Sequence, residues 1–282
     1  MGKLYYYLFL LFPKSGFSRM MGKLAQASAP PWLLAPLIRV YVAWFGIDMG
    51  QFELPASGSW ENFNEFFARP LKPGARPIDP GKNSLVSPVD GRVSESGEIR
   101  EGRLYQAKGL SYSLQELLGG GPGWESYDGG TFITIYLSPR DYHRIHTPCR
   151  GRVSGFHYLP GELWTVSPSG VNGVPRLFSR NERIVSWLDT DFGQMALVAV
   201  GATVVGGIKV VYHSVTSNQP GARELAMTLP QPHELNKGAE LGRFLLGSTV
   251  VLLARPGEAR LDKLAHGHPL RLGEVIGAIE KK

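Results

Sequence analysis

Cysteine is almost absent from this chain of 282 residues, which contains only Cys149. A single cysteine excludes an intramolecular disulfide and any zinc site built from several thiolates. Apolar runs long enough to cross a bilayer are also missing: the run from Leu4 to Phe12 has nine residues, whereas a spanning helix needs about 20. Because that run is aromatic and Pro13 follows it directly, we do not expect a cleaved signal peptide.

Sequence signals for several ligand classes are missing too. The glycine-rich stretch 201–207 lacks the spacing of a phosphate-binding loop or a dinucleotide fingerprint. No basic cluster is interleaved with aromatic residues, so nucleic acid is not an expected partner. His143, His146 and Cys149 are three residues apart, but Pro148 breaks any helix there, and on an extended chain such side chains face opposite sides. We therefore expect no metal site.

What the chain does contain indicates a folded, β-rich protein. Hydrophobic residues make up 43% and charged residues 19% of the sequence, with 35 glycines and 21 prolines spread along it. This composition favours many short elements joined by turns. Thr131 to Leu137 alternates strong β-formers and predicts a strand. Leu85 to Val93 predicts two strands joined by an Asp-Gly turn, 59–67 a helix capped by Ser59, and 166–183 a surface loop.

The first fifty residues differ from the rest in charge. They carry five basic side chains and one acid, which is +4 of the net charge of +6. Between Leu33 and Ile47, apolar residues recur at the spacing of an amphipathic helix. This stripe consists of Leu34, Leu37, Ile38, Tyr41, Val42 and Phe45. Basic flanks and an aromatic apolar face favour a helix lying in the headgroup layer of an anionic membrane. Packing of the same stripe on the protein's own core stays open as the alternative.

The stretch from Phe244 to Thr249 places a glycine and a serine between two apolar flanks that predict buried strands. Gly247 leaves room around its carbonyl, and Ser248 puts a hydroxyl beside it, as a chain that attacks its own backbone requires. An ordinary tight turn is the simpler interpretation of these residues alone. His143 and His146 lie in a polar turn and are interpreted as acid–base groups, because histidine titrates near neutral pH.

Three motifs together carry a resemblance to a known family: Asp90 in SPVDG, His143 and His146 in DYHRIH, and LGST at 246–249. In this order and spacing they closely resemble the bacterial phosphatidylserine decarboxylases, the pyruvoyl-dependent enzymes that make phosphatidylethanolamine. The likeness covers nearly the whole chain. It includes FNEFFARPLKPGARPID at 63–79, KGLSYSL at 108–114, GATVVGGI at 201–208 and KGAELGRF at 237–244.

The resemblance implies a proenzyme that cleaves itself between Gly247 and Ser248 into a β chain of residues 1–247 and an α chain of residues 248–282. The Ser248 hydroxyl would attack the Gly247 carbonyl, with His146 as the base and Asp90 orienting its imidazole. Ser248 would become a covalent pyruvoyl group, the cofactor, which forms a Schiff base with phosphatidylserine and serves as electron sink for loss of CO2. His143 is expected to protonate the resulting carbanion.

The resemblance also implies an α+β fold. A β-rich catalytic domain would span residues 51–282, and amphipathic helices in residues 1–50 would dock on it and on the membrane. We therefore expect a peripheral protein of the cell membrane, attached at its cytoplasmic face to an anionic surface. Its substrate would be phosphatidylserine, and we expect the α and β chains of one precursor to assemble into a homo-oligomer.

Other classes of protein stay open at this point. A carrier module of the biotinyl or lipoyl type would need a modifiable lysine on an exposed hairpin, and no lysine has such a setting. A serine hydrolase using Ser248 would lack the Gly-x-Ser-x-Gly elbow and would leave its chain intact. A membrane-surface scaffold with an inactive site is a third class. A pyruvoyl enzyme acting on amino acids or S-adenosylmethionine would not need the aromatic N-terminal helices.

Overall fold

The computed structural model describes residues 14–106, 109–121, 123–203, 207–245 and 248–280, with side chains from residue 20 onward. The predicted apolar segment Leu4 to Phe12 lies outside the described residues. The helices are α1 (Lys14–Gln26), α2 (Pro31–Phe45), α3 (Phe63–Phe67), α4 (Leu114–Leu118), α5 (Pro168–Val171) and α6 (Leu177–Arg180). Two 3-10 turns occupy Met49–Gln51 and Trp124–Tyr127.

Strands make up most of the regular structure of these ranges. They are β1 (Ser84–Val86), β2 (Gly91–Glu98), β3 (Arg103–Tyr105), β4 (Ser111–Ser113), β5 (Thr131–Leu137), β6 (Arg144–His146), β7 (Gly151–Leu159), β8 (Arg183–Thr190), β9 (Gly193–Gly201), β10 (Ile208–Val210), β11 (Leu225–Leu235), β12 (Glu240–Phe244), β13 (Ser248–Ala254), β14 (Ala259–Leu261), β15 (Pro269–Leu270) and β16 (Val275–Ile279).

The main sheet is antiparallel, and β13 lies near its middle. Among the described residues its strand order is β11-β7-β8-β9-β13-β5-β2-β15. Every residue of β13 is buried. Because successive side chains of a strand point to opposite faces, Val250 and Leu252 enter one apolar core while Val251 and Leu253 enter another. The apolar run at 250–253 therefore forms a strand that is covered on both faces. The α+β fold with a β-rich core is confirmed.

Local predictions hold where the sequence pattern is strong and fail where pairing is non-local. β5 matches the predicted strand residue for residue. Two strands flank Asp90 as predicted, but they do not pair with each other: β1 pairs with β16, while β2 pairs with β5 and β15. The helix predicted from Ser59 begins later, after Asn62, whose side chain accepts the backbone N–H of Glu65 at 3.0 Å. Asn62 is thus the cap.

The segment 166–183, predicted as a surface loop, is half buried and partly helical. It contains α5 and α6, and Val171, Val174 and Phe178 belong to an apolar core cluster. The buried side-chain amide of Gln106 donates to the carbonyls of Val171 and Val174 at 2.6 and 2.9 Å. Serine, proline and glycine in this stretch are turn formers and favoured the prediction of a loop, although the apolar residues between them pack into the core.

The apolar stripe predicted on the second N-terminal segment lies on a real helix, α2, but most of it faces inward. Leu34 and Ile38 are buried in a cluster with Phe52 and Phe66, and Tyr41 packs edge-on against Phe66. Packing on the protein's own core, the alternative left open by periodicity, therefore describes these residues.

A second apolar face of α2 is exposed instead. Trp32 and Trp44 are 76% and 81% exposed, and Leu33, Leu37 and Val40 lie more than half exposed beside them. An exposed tryptophan pair on one helix is unusual for a surface that meets only water. None of the helices that the structure describes is both long and apolar enough to span a membrane.

Candidate active site

The segments that carry the four candidate residues meet at one end of the main sheet. Ser248 is the first residue of β13, and it pairs with Leu137 at the end of β5 and with Gly201 at the end of β9. The chain leaves β5 directly into the segment that carries His143 and His146. Asp90 immediately precedes β2, which pairs with β5. Neighbouring antiparallel strands thus begin or end at one point.

Short contacts draw these segments tightly against each other. The backbone N–H of Phe244, in the strand that leads towards Ser248, donates to the His143 carbonyl at 2.9 Å. The N–H of His146 donates to the Pro88 carbonyl at 2.8 Å, which puts the SPVDG motif beside β6. A Cβ at position 91 would lie 2.4 Å from the Tyr136 carbonyl oxygen, so only glycine fits there. Gly247 lies outside the described residues.

Ser248 is a buried hydroxyl without a hydrogen-bond partner. Its side chain is 0% exposed, and its Oγ contacts no donor or acceptor among the described residues. Burial of a polar group without a partner costs about 1–3 kcal/mol. The fold accepts this cost at the first residue of its central strand, where an apolar side chain would pack without it.

The hydrogen-bond partners of His146 determine which of its ring nitrogens carries the proton. Its Nδ1 lies 2.8 Å from the Gly238 carbonyl and must donate there, so Nε2 carries the lone pair and accepts the Tyr142 hydroxyl at 3.0 Å. Gly238 has a φ of +76°, a conformation that glycine adopts readily. Burial lowers the pKa of His146 below its usual value, so the imidazole is neutral at pH 7 and can accept a proton.

His143 is a second neutral imidazole, and it is more deeply enclosed. It is 0% exposed, its Nδ1 donates to the Asp141 carbonyl at 2.7 Å, and its ring centroid lies 4.0 Å from that of Phe67. Burial, with a smaller contribution from the positive charge of Arg69, lowers its pKa to about 3. Its Nε2 has no partner among the described residues. One ring nitrogen is therefore fixed, and the other is left for a proton or a substrate atom.

Asp90 is held by an arginine and not by His146. The residue as a whole is 6% exposed, and its carboxylate accepts Nε of Arg76 at 3.0 Å, Nη2 at 2.6 Å and the Leu272 N–H at 2.8 Å. Both ring nitrogens of His146 are occupied by other partners, so the expected direct orientation of the imidazole by Asp90 is absent. Gly238 and Tyr142 orient it. Asp90 acts on His146 only as a nearby negative charge, the weakest influence on the pKa of that histidine.

Sequence reasoning missed three groups that complete this site: Arg76, Tyr142 and the Gly238 carbonyl. A signal for Tyr142 was available, because it lies inside the DYHRIH motif and four residues before His146. Arg76 lies inside the stretch 63–79 that carries part of the resemblance, but nothing in that stretch indicates a contact with Asp90, which depends on how the connector before β1 crosses the sheet end.

A buried serine, two neutral imidazoles and an ion-paired carboxylate on segments that meet at one sheet end are the composition of an enzyme site that uses a hydroxyl and acid–base groups. The family model "Phosphatidylserine decarboxylase" matches residues 63–278. The chain is 46% identical over 270 residues to a phosphatidylserine decarboxylase proenzyme of Anaeromyxobacter sp. (strain K), covering 95% of each chain. A proenzyme of the same name from Brevibacillus brevis is 48% identical over 267 residues, with 94% of each chain covered.

A third relative, from Azotobacter vinelandii, carries the same name and is 45% identical over 273 residues, with 95% of each chain covered. These matches extend over the whole sheet and over the residues that form its active end. The chain belongs to the phosphatidylserine decarboxylase family. It is accordingly a decarboxylase, an enzyme of the carboxy-lyase class.

Proposed function

We propose that this chain is a self-processing phosphatidylserine decarboxylase. It would cut itself between Gly247 and Ser248 into residues 1–247 and residues 248–282, and Ser248 would become a pyruvoyl group. The names of its relatives support the substrate and the proenzyme state. The buried hydroxyl of Ser248 without a partner is the observation that carries the processing step.

The residues around Ser248 fit a self-derived pyruvoyl group. Such a group needs a serine whose hydroxyl is not engaged elsewhere, a neutral base, and surroundings that exclude water. Ser248 is 0% exposed, its Oγ has no partner among the described residues, and both His143 and His146 are neutral at pH 7. His143 also leaves its Nε2 unpaired at this sheet end.

Self-cleavage begins with attack of the Ser248 hydroxyl on the Gly247 carbonyl. His146 accepts the hydroxyl proton at Nε2, which carries the lone pair because Nδ1 is committed to the Gly238 carbonyl. For this transfer, Nε2 exchanges the Tyr142 hydroxyl for Oγ of Ser248. The amide becomes an ester; elimination across Cα and Cβ of Ser248 then frees the Gly247 carboxylate. Addition of water and loss of ammonia leave the pyruvoyl group on the α chain.

Asp90 supports this proton transfer from a distance. Its charge favours the imidazolium that forms when His146 accepts the proton, and the Arg76 guanidinium keeps the carboxylate in place. The proposed role is electrostatic, in contrast to a triad in which the carboxylate bonds the imidazole directly.

The pyruvoyl group supplies an electrophilic carbonyl that draws electrons from the substrate as CO2 leaves. Nε2 of His143 carries the lone pair, because Nδ1 donates to the Asp141 carbonyl; it would take a proton from the substrate ammonium and give it up at the carbon that loses the carboxylate, while Phe67 helps to fix its ring. The test is to measure cleavage and CO2 release for two variants. His146→Ala should stay uncut, whereas His143→Ala should be cut but release at least 100-fold less CO2. A cut and fully active His143→Ala chain would refute the assignment of His143.

We also propose attachment to the cytoplasmic face of the cell membrane through the exposed face of α2. The tryptophans of that face, Trp32 and Trp44, suit the headgroup layer, and the +4 charge of residues 1–50 favours an anionic surface. The division into a membrane-associating segment, 1–50, and a catalytic domain, 51–282, belongs to this proposal, as does a homo-oligomeric state. Trp32→Ser/Trp44→Ser should lose flotation with anionic vesicles while it still cleaves itself; unchanged flotation would contradict the docking face.

A further inference from the structure

Three basic side chains form a row across three neighbouring strands, one of which, β6, also carries His146. Lys209 in β10 pairs with Arg243 in β12, and Arg243 pairs with Arg144 in β6. Side chains directly opposite each other on antiparallel strands share a face, and like charges there repel. Glu240 offsets part of this repulsion, because its carboxylate lies 2.8 Å from Arg144 and 3.1 Å from Arg243. Lys209 has no ion pair with any residue that the structure describes.

The row lines one wall of a cleft of about 700 Å³. Leu245, three residues before Ser248, lines the same cleft. Two acids, Glu53 and Glu65, lie on the wall contributed by the segment before β1, and Glu65 accepts the Glu61 N–H at 3.0 Å. The cleft therefore has a positive strand wall and a negative facing wall, which suits a headgroup that carries both charges.

An apolar groove continues from this cleft along the inward face of α2. Leu54 and Trp60 line both the cleft and a second cavity of about 370 Å³. That second cavity is otherwise walled mainly by α2, including Leu34, Ile38 and Val42. The protein thus presents, in order, the strand that carries His146, a row of cations and an apolar groove. A diacyl phospholipid has its reacting headgroup, phosphodiester and acyl chains in the same order.

We propose that Lys209, Arg243 and Arg144 form the subsite for the phosphodiester of the lipid substrate, and that the groove at Leu54 and Trp60 takes the first part of an acyl chain. This assignment rests on the proposed function. Lys209 supplies the uncompensated charge, since Glu240 already neutralises part of the arginine pair. Arginine and lysine both bind phosphate oxygens through charge-assisted hydrogen bonds.

The test compares Lys209→Gln with Lys82→Gln, an exposed lysine with the same charge change that does not line the cleft. Both variants should cleave themselves. With phosphatidylserine in mixed micelles, Lys209→Gln should raise KM about tenfold, in line with loss of one charge-assisted contact, and affect kcat less. The Lys82→Gln enzyme should match the wild type. Equal KM values for the two variants would overturn the subsite.

Direct binding separates this inference from the proposed function. Soluble glycerophosphoserine is titrated into the uncut Ser248→Ala chain by calorimetry, with inorganic phosphate as a second ligand. Lys209→Gln in that background should weaken glycerophosphoserine binding about tenfold, whether or not the wild type releases CO2. Leu54→Ser should weaken only a short-chain phosphatidylserine. Binding unaffected by Lys209→Gln, or as tight for phosphate alone as for glycerophosphoserine, would contradict a headgroup subsite. A wild type that is cut but releases no CO2 would refute the proposed function instead.

Discussion

The Arg76–Asp90 ion pair gives the sharpest quantitative prediction of this structure. Both side chains are only 8% exposed, and Arg76 also donates to Gln51 at 2.7 Å. Although burial disfavours its charge, the hydrogen bonds and charge of Asp90 raise the pKa of Arg76. Removal of one partner of a buried pair leaves the other charge desolvated and costs about 3–5 kcal/mol. Arg76→Met should therefore lower the free energy of unfolding by about 3 kcal/mol or more.

This free energy is best measured by urea unfolding in the Ser248→Ala background, where the chain is expected to stay whole and unfolding does not depend on chain association. Asp90→Asn added to Arg76→Met removes the uncompensated charge and keeps an acceptor for the Leu272 N–H. The double variant should recover about 2 kcal/mol of the loss. With Ser248 present, both variants should cleave at least tenfold more slowly, since neither holds a carboxylate in place near His146.

Two outcomes would refute this reasoning. Loss of less than about 1 kcal/mol in Arg76→Met would mean that the pair is not buried as the structure has it. No recovery in the double variant would mean that the cost comes from lost packing and not from a stranded charge.

Further predictions concern the two histidines and the hydroxyls beside the cleavage site. Folding lowers the pKa of His143 from 6.5 to about 3, so the folded state is favoured while this histidine is neutral. In the Ser248→Ala background, the free energy of unfolding should therefore fall as pH drops below about 6.5, by about 2 kcal/mol between pH 7 and pH 5. His143→Leu should remove this contribution to the pH dependence of the free energy of unfolding. The same pH dependence in the variant and its parent would contradict a buried, neutral His143. Tyr142→Phe removes one hydrogen bond to His146 and should change the cleavage rate by no more than about tenfold, since the Gly238 carbonyl still sets the tautomer; complete loss of cleavage would show a larger role for the phenol. Thr249→Val removes a neighbouring buried hydroxyl that also has no partner among the described residues. Mass spectrometry should show that this variant still cleaves itself. Loss of cleavage would contradict the assignment of the attacking hydroxyl to Ser248 alone.

The sequence predicted the structure best where a local residue pattern is compatible with only one kind of element. The alternation of β-formers in Thr131–Leu137 and the apolar run after Ser248 predicted strands that the fold contains. The SPVDG, DYHRIH and LGST motifs identified side chains that lie at one end of the main sheet. These motifs indicate site residues from local sequence alone, so the order of strands in the sheet is not needed.

Contacts between distant segments could not be predicted in this way. The stripe on α2 has the same spacing whether it meets lipid or Phe66, and only packing decides between them. Asp90 was expected to bond His146, yet Arg76 reaches it from a connector with no periodicity. The cation row of Lys209, Arg243 and Arg144 depends on strand register, which appears only once β10, β12 and β6 are paired.

The most direct test of the account is the intact mass of the purified protein beside its Ser248→Ala variant. The account predicts two wild-type chains, the smaller spanning the 35 residues 248–282 and beginning with a blocked residue, whereas Ser248→Ala stays whole at about 31.0 kDa. A wild-type chain that is still intact after incubation with anionic lipid vesicles would contradict self-processing at Ser248 and the pyruvoyl chemistry built on it.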